Sequence, residues 1–235
     1  MGAPPDDWLH PVLARAIADG APMAAARAVG PGLWELPTLS DGARARVAAE
    51  CAAIAAWNAA HGHPLEPPNS MNEAGFRLAP VGLAGLASWL MDRAVSPLAD
   101  GAFAASHPWA LEDPHGFTVA YGAGADRDLG FHVDDSAVTL NLCLERTGAG
   151  GEVWFAGSRC ALHRQDPGGA AAVWAPRPGW ALLHRGAHRH GAWPVQGGHR
   201  RNLVVWCRDA AARQREHDDA EAGRCPPWCG HPAEP

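Results

Sequence analysis

Histidine and acidic residues stand close together at one point of the chain, where they could bind a metal ion or move a proton. His132 and Asp134 are two residues apart at the start of FHVDDSAVTLNLCL, residues 131–144. Residues two apart on a strand point to the same side, so the imidazole and the carboxylate can converge on one point. An H-x-D pair is a weak signal by itself, since such pairs arise more often by chance than as metal ligands.

A second group of chemically active residues lies in WALLHRGAHRHGAWPVQGGHRRNLVVWC, residues 180–207. It contains His184, His188 and His190, followed by Arg200 at the beginning of a β-type run. Two histidines and one carboxylate on one face of an octahedral ion form the facial triad of non-haem Fe(II) oxygenases. Such a triad leaves room for a bidentate 2-oxo acid and O2, and an arginine can hold the far carboxylate of that acid through its planar guanidinium.

The elements that must position these residues change along the chain. Residues 1–110 predict mainly helix: Ser40 and Asp41 can cap a helix that runs to about residue 61, and leucine spacing indicates a second helix over 82–95. After His115 the pattern changes to short β-type runs separated by Gly, Pro and Asp. These runs are 117–121, 137–144, 152–155, 171–175, 180–184 and 202–207. Several short strands with turn signals are typical of a sandwich, a jelly roll or a barrel.

The run at 137–144 alternates between two kinds of side chain. One face is aliphatic, and its members are Val138, Leu140, Leu142 and Leu144. The other face carries Thr139, Asn141 and Cys143. We expect the aliphatic face to pack against helices and the small polar face to line a site.

Charge and apolar content exclude some classes of partner. The net charge is −6, all 19 basic residues counted as Lys or Arg are arginine, and no basic cluster alternates with aromatic residues, so we expect no nucleic-acid partner. No apolar run approaches the ~20 residues of a membrane-spanning helix, so we expect no membrane partner either. The six cysteines form no evenly spaced framework and the N-terminus lacks a signal-peptide core, which favours the reducing cytoplasm.

Together these residues resemble those of a known superfamily. An H-x-D pair, a distal histidine followed by glycine, and an arginine ten residues beyond it occur here as His132, Asp134, His190 and Arg200. This pattern resembles the 2-oxoglutarate/Fe(II)-dependent dioxygenases, in particular the prolyl/lysyl-hydroxylase-like branch termed PKHD-type. The resemblance covers roughly residues 64–209, and the N-terminal segment before it resembles no family. Three blocks carry it: PPNSMNEAGFRL (67–78), YGAGADRDLGFHVDDSAVTLNLCL (121–144) and LLHRGAHRHGAWPVQGGHRRNLVVWCR (182–208).

The resemblance implies an α+β fold whose core is a double-stranded β-helix, or jelly roll, supported by N-terminal helices. On this basis we divide the chain into a mainly helical support region (1–110), the oxygenase core (111–209), and a polar helix with a cysteine-containing tail (210–235). The implied protein is an Fe(II)- and 2-oxoglutarate-dependent hydroxylase, with ascorbate as a candidate accessory. It would use O2 to hydroxylate an unactivated C–H bond of a protein side chain or a small molecule, releasing succinate and CO2.

The resemblance also assigns the metal and catalytic residues. His132, Asp134 and His190 would hold the iron. His188 would share a strand face with His190, so periodicity does not separate the two. The following glycine and the interval to Arg200 favour His190.

Four residues are the candidate contacts for 2-oxoglutarate: Arg200, Tyr121, Thr139 and Asn141. Arg200 and Arg201 are neighbours on opposite faces, and the family spacing selects Arg200. Tyr121 resembles the family tyrosine that hydrogen-bonds the co-substrate, although a half-buried strand aromatic is its commonest alternative. For Thr139 and Asn141, an inward position satisfied by backbone or water is equally compatible with the pattern.

Other functions remain open at this point. A non-catalytic jelly-roll module would lack a ligand or the arginine, whereas all of them are present. A zinc hydrolase could use the same His/Asp/His set with a metal-bound water, but it would need neither Arg200 nor Tyr121 near the metal. In the tail, Cys225, Cys229 and His231 offer zinc ligands, but CxxxC without a second pair is a weak zinc signal, and solvated thiols are the favoured interpretation.

Overall fold

Helices fill most of the N-terminal part of the chain, and strands fill most of the remainder. The computed structural model describes residues 4–103, 108–165 and 171–231, so the last four residues of the predicted tail lie outside the described part. The helices are α1 (Pro11–Ala18), α2 (Asp41–His61), α3 (Ala84–Leu90), α4 (Ser96–Ala102) and α5 (Ala210–Glu221). The strands are β1 (Arg27–Gly30), β2 (Leu33–Pro37), β3 (Gly75–Arg77), β4 (Glu112–Gly122), β5 (Leu129–His132), β6 (Val138–Arg146), β7 (Ala149–Gly150), β8 (Val153–Ser158), β9 (Ala172–Trp174), β10 (Trp180–Arg185), β11 (His188–Ala192), β12 (Val195–Gln196) and β13 (His199–Arg208). Within these ranges, no helix combines the length and the apolarity needed to span a bilayer.

The long helix α2 begins and ends where its sequence predicts. The Ser40 hydroxyl accepts a hydrogen bond from the Ala43 N–H at 3.4 Å, which satisfies one of the free donors of the first turn. Gly62 ends the helix in the left-handed conformation, with φ 66°, where glycine has no steric penalty. Val47 and Cys51 face the core.

The second predicted helix is interrupted. Helix α3 ends at Leu90, a π-helical turn occupies Met91–Val95, and α4 begins at Ser96. Pro97 lies in the first turn of α4, where its missing N–H leaves no hydrogen bond unmade. The sequence predicts a helix over 82–95, and helical structure instead continues to Ala102.

Two antiparallel sheets form the centre of the molecule. The larger has the strand order β1-β2-β10-β6-β13-β4-β3, the smaller has β5-β11-β8-β9, and β12 pairs separately with β7. The two sheets face each other, since Leu33 and Leu182 of the larger pack with Val153, Phe155 and Trp174 of the smaller. Facing antiparallel sheets combined with helices confirm the predicted α+β jelly-roll architecture.

The helices cover the outer face of the larger sheet. The aliphatic side chains of β6 lie in one buried cluster with residues such as Leu13 of α1, Val47 of α2 and Leu86 of α3. Removal of this aliphatic surface from water is worth about 25 cal/mol per Å². The opposite face of β6 therefore looks into the space between the sheets, as its small polar residues predict.

The N-terminal region contains more strand than its sequence predicts. Strands β1 and β2 form one edge of the larger sheet and β3 forms the other. They are only three to five residues long, too short for a two-residue period to stand out. The pairing of β2 with β10 and of β3 with β4 identifies them as strands. The domain boundary at residue 110 stays a prediction.

A buried carboxylate connects three strands near this edge. Glu35 is 2% exposed and accepts hydrogen bonds from Arg27 at 2.6 Å, Trp174 Nε1 at 3.0 Å and Arg177 at 2.9 Å. Burial by itself raises the pKa of Glu35, but these hydrogen bonds outweigh it and hold the pKa below its ordinary value. The ionised side chain therefore stabilises the contact between β1, β2 and β9.

Candidate active site

The two segments with candidate metal ligands meet where β5 pairs with β11. His132 ends β5 and is directly opposite His190 of β11, with ring centroids 4.1 Å apart. Asp134 lies in the turn before β6, and its backbone N–H donates to the Gly186 carbonyl oxygen at 3.0 Å. His132 and Asp134 thus converge through a turn, and the sequence expectation that they share one strand face is wrong.

Three potential ligand atoms lie close enough to share one ion. Asp134 Oδ1 is 3.5 Å from His132 Nε2 and 3.7 Å from His190 Nε2. All three atoms lie within 4.8 Å of one another. An ion with ligand bonds of ~2.0–2.2 Å can reach all three after small side-chain adjustments.

Both imidazoles turn their Nε2 atom to this point. His132 Nδ1 is 2.8 Å from the Gly130 carbonyl oxygen, and His190 Nδ1 is 2.8 Å from the His188 carbonyl oxygen. A carbonyl oxygen only accepts, so Nδ1 must carry the proton in both rings. In the neutral rings, Nε2 then keeps its lone pair for a metal ion.

Burial and mutual attraction set the charges of these groups. Burial lowers the pKa of His190 to about 3, although the neighbouring Asp134 acts in the opposite direction. For Asp134, burial raises the pKa, but the surrounding histidines outweigh it and hold the pKa well below its ordinary value. A neutral imidazole and an ionised carboxylate are the states that bind a divalent cation.

Two hydroxyl groups hold the Asp134 carboxylate in place. Thr139 Oγ1 donates to Asp134 Oδ2 at 2.7 Å, and Ser136 Oγ lies 2.7 Å from Thr139 Oγ1. This segment packs tightly on Gly186, which follows β10, because a Cβ added there would collide with the Ser136 carbonyl oxygen. These contacts fix one carboxylate oxygen and leave Oδ1 beside the two histidines.

The other two histidines of residues 180–207 have different surroundings. The His188 ring packs edge-on against Phe155, with centroids 5.0 Å apart. His184 is fully buried, with Nε2 3.8 Å from Asp134 Oδ2. The structure therefore brings His190, and not His188, to His132 and Asp134, and it places His184 behind the carboxylate.

The glycine after His190 allows close strand packing. A Cβ on Gly191 would lie 2.6 Å from the Trp154 ring and 2.8 Å from the Leu129 carbonyl oxygen. Both distances are well inside ordinary van der Waals contact. The His-Gly pair of the sequence therefore reflects the insertion of β11 between β5 and β8.

A cavity of about 550 Å³ adjoins the three ligands, which form part of its wall. The inward faces of β4 and β13 form much of the remaining wall. These residues are His115, Phe117, Val119, Tyr121, Arg200, Asn202, Val204 and Trp206. A cavity of this size, mainly apolar with a few polar groups, is typical of a small-molecule site.

Arg200 places a buried positive charge in the cavity wall. It is 2% exposed, its guanidinium lies 4.2 Å from the centre of the Tyr121 ring, and its Nη1 donates to the Gly151 carbonyl. Among the described residues it has no carboxylate partner, and its Nε makes no hydrogen bond. Burial lowers the pKa of Arg200. An uncompensated buried cation is costly, so this position favours an anionic ligand.

Two charged neighbours of the site, Arg201 and Asp135, are neutralised by ion pairs, and Arg201 lies outside the cavity wall. Arg201 pairs with Glu145 at 3.1 Å. Asp135 pairs with Arg208 at 3.2 Å and with Arg213 at 2.7 Å. Side-chain alternation along β13 thus separates the two adjacent arginines, as the sequence predicts.

The other candidate co-substrate residues divide into two groups. Tyr121 and Asn141 line the cavity, and the Tyr121 hydroxyl accepts from Asn72 Nδ2 at 3.2 Å. Thr139 lies outside the cavity wall and instead supports Asp134. In place of the predicted contact with 2-oxoglutarate, we propose that Thr139 holds the candidate metal ligand Asp134.

Two further asparagines, Asn72 and Asn202, line the cavity. Asn72 belongs to the block PPNSMNEAGFRL that carries the family resemblance, and the sequence reasoning missed Asn202. Asn202 donates to Asn141 Oδ1 at 2.5 Å, and its own buried Oδ1 has no partner in the described part of the chain. Its two-residue spacing from Arg200 is the signal that could have found it. Asn72 comes from the irregular segment before β3, where no period indicates its direction.

The donor set fits a divalent first-row ion such as Fe(II). It combines two neutral imidazole nitrogens with one carboxylate oxygen, which is the ligand composition of the facial triad. The adjoining cavity adds a buried guanidinium with no counter-charge from the described residues. The site therefore has separate places for a metal cation and for an organic anion.

Known proteins share both the sequence and the fold. No protein-family model matches the chain. The 2-oxoglutarate and iron-dependent oxygenase domain-containing protein ICU11 of Arabidopsis thaliana is 41% identical over 165 residues, covering 69% of this chain and 41% of that protein. The 2-oxoglutarate and iron-dependent oxygenase domain-containing protein 2 of Homo sapiens is 33% identical over 171 residues, covering 72% of this chain and 45% of that protein. The chain thus spans less than half the length of these relatives.

Among solved structures, a prolyl-4-hydroxylase of Pseudomonas putida superposes with a TM-score of 0.54. The superposition covers 82% of this chain and 97% of that one, with 20% sequence identity. At this identity the likeness concerns the fold alone.

Proposed function

Since the chain belongs to the 2-oxoglutarate- and Fe(II)-dependent dioxygenase superfamily, we propose that it hydroxylates an unactivated C–H bond and releases succinate and CO2. The proposed substrate is a prolyl- or lysyl-type side chain of a protein, and a small molecule is the alternative. One observation carries the proposal: the His132, Asp134 and His190 cluster shares a cavity with Arg200, whose charge no described carboxylate balances.

In this proposal His132, Asp134 and His190 hold Fe(II). When bound, the metal and 2-oxoglutarate supply the oxidising chemistry that protein side chains lack. The carbonyl oxygens of Gly130 and His188 keep the two rings oriented by accepting their Nδ1 protons. Ordered ligands reduce the reorganisation that metal binding would otherwise require.

Arg200 would hold the far carboxylate of 2-oxoglutarate. Its stacking on Tyr121 fixes the plane of the guanidinium, which can then donate two parallel hydrogen bonds to one carboxylate. Tyr121 and Asn141 would donate further hydrogen bonds from the same wall. The apolar side chains of Val119, Val204 and Trp206 would limit water around this ion pair and so strengthen it.

We propose the cytoplasm as the compartment. None of the six cysteines forms a disulfide in the structure, which fits a reducing environment. The same environment would keep iron in the ferrous state.

The proposal is tested by measuring succinate formation. Full-length protein is stripped of metal with a chelator and supplied with Fe(II), 2-oxoglutarate and O2, with and without ascorbate. We expect succinate only when Fe(II), 2-oxoglutarate and O2 are all present. Hydrolysis of ester or amide substrates that depends on zinc, without succinate formation, would replace the proposal with the zinc hydrolase.

A matched pair of histidine variants tests the ligand assignment. We expect His190→Ala to abolish succinate formation, whereas His188→Ala should retain it, because of these two rings only His190 brings its Nε2 to Asp134. The opposite result would transfer the ligand role to His188. Peptide pools containing proline or lysine can then be screened for the gain of one oxygen atom, and pools that remain unmodified would favour a small-molecule substrate.

A further inference from the structure

Four side chains able to bind a metal ion converge at a second place in the fold, outside the wall of the active-site cavity. Cys160 and His163 lie directly after β8, while Cys225 and Cys229 come from the tail after α5. The sequence pattern of the tail indicates only a weak site, because the first two residues are more than sixty positions away. The fold brings both pairs together.

The distances within this group match those of a tetrahedral metal site. His163 Nδ1 lies 3.3 Å from Cys160 Sγ, 3.5 Å from Cys225 Sγ and 3.5 Å from Cys229 Sγ. The Sγ atoms of Cys160 and Cys225 are 4.0 Å apart. For Zn–S bonds of ~2.3 Å and Zn–N bonds of ~2.0–2.1 Å, tetrahedral geometry places ligand atoms ~3.5–3.8 Å apart.

The backbone also favours a negatively charged sulfur. The Cys160 N–H donates to Cys229 Sγ at 3.4 Å, and the His231 backbone N–H hydrogen-bonds to the same atom. Hydrogen bonds from N–H groups stabilise a thiolate more than a neutral thiol.

We propose that Cys160, His163, Cys225 and Cys229 bind a structural Zn²⁺ ion. Three thiolates and one imidazole form a closed Cys₃His set, which leaves no position for a substrate, and soft thiolates select zinc over the metals that prefer oxygen. The spacing C-x₂-H followed by C-x₃-C lies within the range of such sites. The favoured sequence interpretation, solvated thiols in a frayed tail, is replaced by this proposal.

A disulfide accounts for the cluster less well. A bond between Cys160 and Cys225 would use two sulfur atoms about 2.05 Å apart and would leave Cys229 and His163 without a role. All four side chains instead surround one point, and the His231 ring stacks on His163 with centroids 3.8 Å apart. This stacking holds Nδ1 of His163 toward the sulfur atoms.

The proposed ion would fasten the tail to the jelly roll. The Gly230 N–H donates to the Ser158 carbonyl at 2.9 Å, and the Trp228 ring lies 5.0 Å from the Arg185 guanidinium. Ser158 pairs with His188 of β11, the strand that also carries His190. Zinc would therefore stabilise the outer side of the sheet that presents an iron ligand.

Elemental analysis of the full chain tests the proposal. Protein from zinc-supplemented cells is desalted and measured for zinc by mass spectrometry. We expect one zinc per chain in the wild type and in His190→Ala, which lacks an iron ligand. Cys225→Ala and Cys229→Ala should lose this zinc, while Cys51→Ala, a control at a thiol outside the cluster, should keep it.

A second measurement uses the wild-type protein and does not depend on whether the variants fold. Replacement of zinc by Co²⁺ should produce the visible absorption of a tetrahedral thiolate site, and the spectrum should be the same in His190→Ala. A zinc content no higher than the buffer blank, a Cys160–Cys225 disulfide in the purified wild type, or zinc lost only from His190→Ala would overturn the proposal. None of these results bears on succinate formation, so the zinc site and the oxygenase function fail or stand separately.

Discussion

Replacement of Arg200 by methionine tests the part of the site that the structure describes most sharply. Arg200 is buried beside Tyr121 without a described carboxylate partner, and Arg201 points to the other face of β13, where it pairs with Glu145. Arg200→Met keeps most of the side-chain volume and removes only the charge and its donors. Arg201→Met makes the same chemical change one residue away and is the matched control.

The magnitude follows from the contact that would be lost. A bidentate, charge-assisted pair with a carboxylate in a buried site is worth about 2–3 kcal/mol. At 1.4 kcal/mol per tenfold change, this predicts a dissociation constant for 2-oxoglutarate raised about 30- to 150-fold in Arg200→Met. Arg201→Met removes a partly exposed ion pair worth about 0–1 kcal/mol of folding stability and should leave the dissociation constant unchanged.

Calorimetric titration of 2-oxoglutarate measures both constants, with Mn²⁺ in place of Fe(II) to prevent turnover. Thermal unfolding without 2-oxoglutarate is measured in parallel. Because Arg200 is a desolvated cation with no counter-charge among the described residues, its loss should lower the melting temperature little. Equal affinity in the wild type and Arg200→Met, or equal weakening by Arg201→Met, would refute the assignment of Arg200 as the carboxylate anchor.

Three further predictions concern the supports of the site and the fold. Thr139→Val removes the hydroxyl that donates to Asp134, so metal affinity should fall about 10- to 100-fold. Competition with a fluorescent chelator measures this affinity, and an unchanged value would contradict the prediction. Gly191→Ala adds a methyl group between β5 and β8 and should lower the free energy of unfolding by about 1–3 kcal/mol, measured by thermal or denaturant unfolding. Gly130→Ala is the control, because its added methyl group meets no atom within 4 Å. The pKa of Glu35 is lowered in the folded state, so its stabilisation is present above the unfolded-state pKa and is lost as the pH falls through the folded-state pKa. The difference in unfolding free energy between the wild type and Glu35→Gln should therefore shrink on acidification. A difference that stays constant from neutral to acidic pH would contradict this.

The alternation along single strands made much of the site predictable. In β6 the aliphatic and small polar faces separate as the pattern indicates, and in β13 the same rule separates Arg200 from Arg201. These are local consequences of the two-residue period of a strand. The same period would also have identified Asn202, had it been extended from Arg200.

Contacts between distant segments were not predictable in this way. Asp134 reaches the histidines through a turn held by Thr139 and Gly186, and no periodic pattern describes a turn. Strands β1 to β3 are too short to show a period. Cys160 and His163 carry no signal until the tail folds back to them.

The sequence by itself determined a mainly helical first part followed by short strands, the outward and inward faces of the longer strands, and the residue types able to bind a cation and an organic anion. The jelly roll followed from the family resemblance. Only the tertiary structure decided which histidine faces Asp134, that Arg200 is buried without a described carboxylate, and that two cysteine-containing segments meet. The physical reason is that side-chain direction along one strand follows from local backbone geometry. Convergence between segments depends instead on sheet pairing, strand register and close glycine contacts, which are properties of the whole packed molecule.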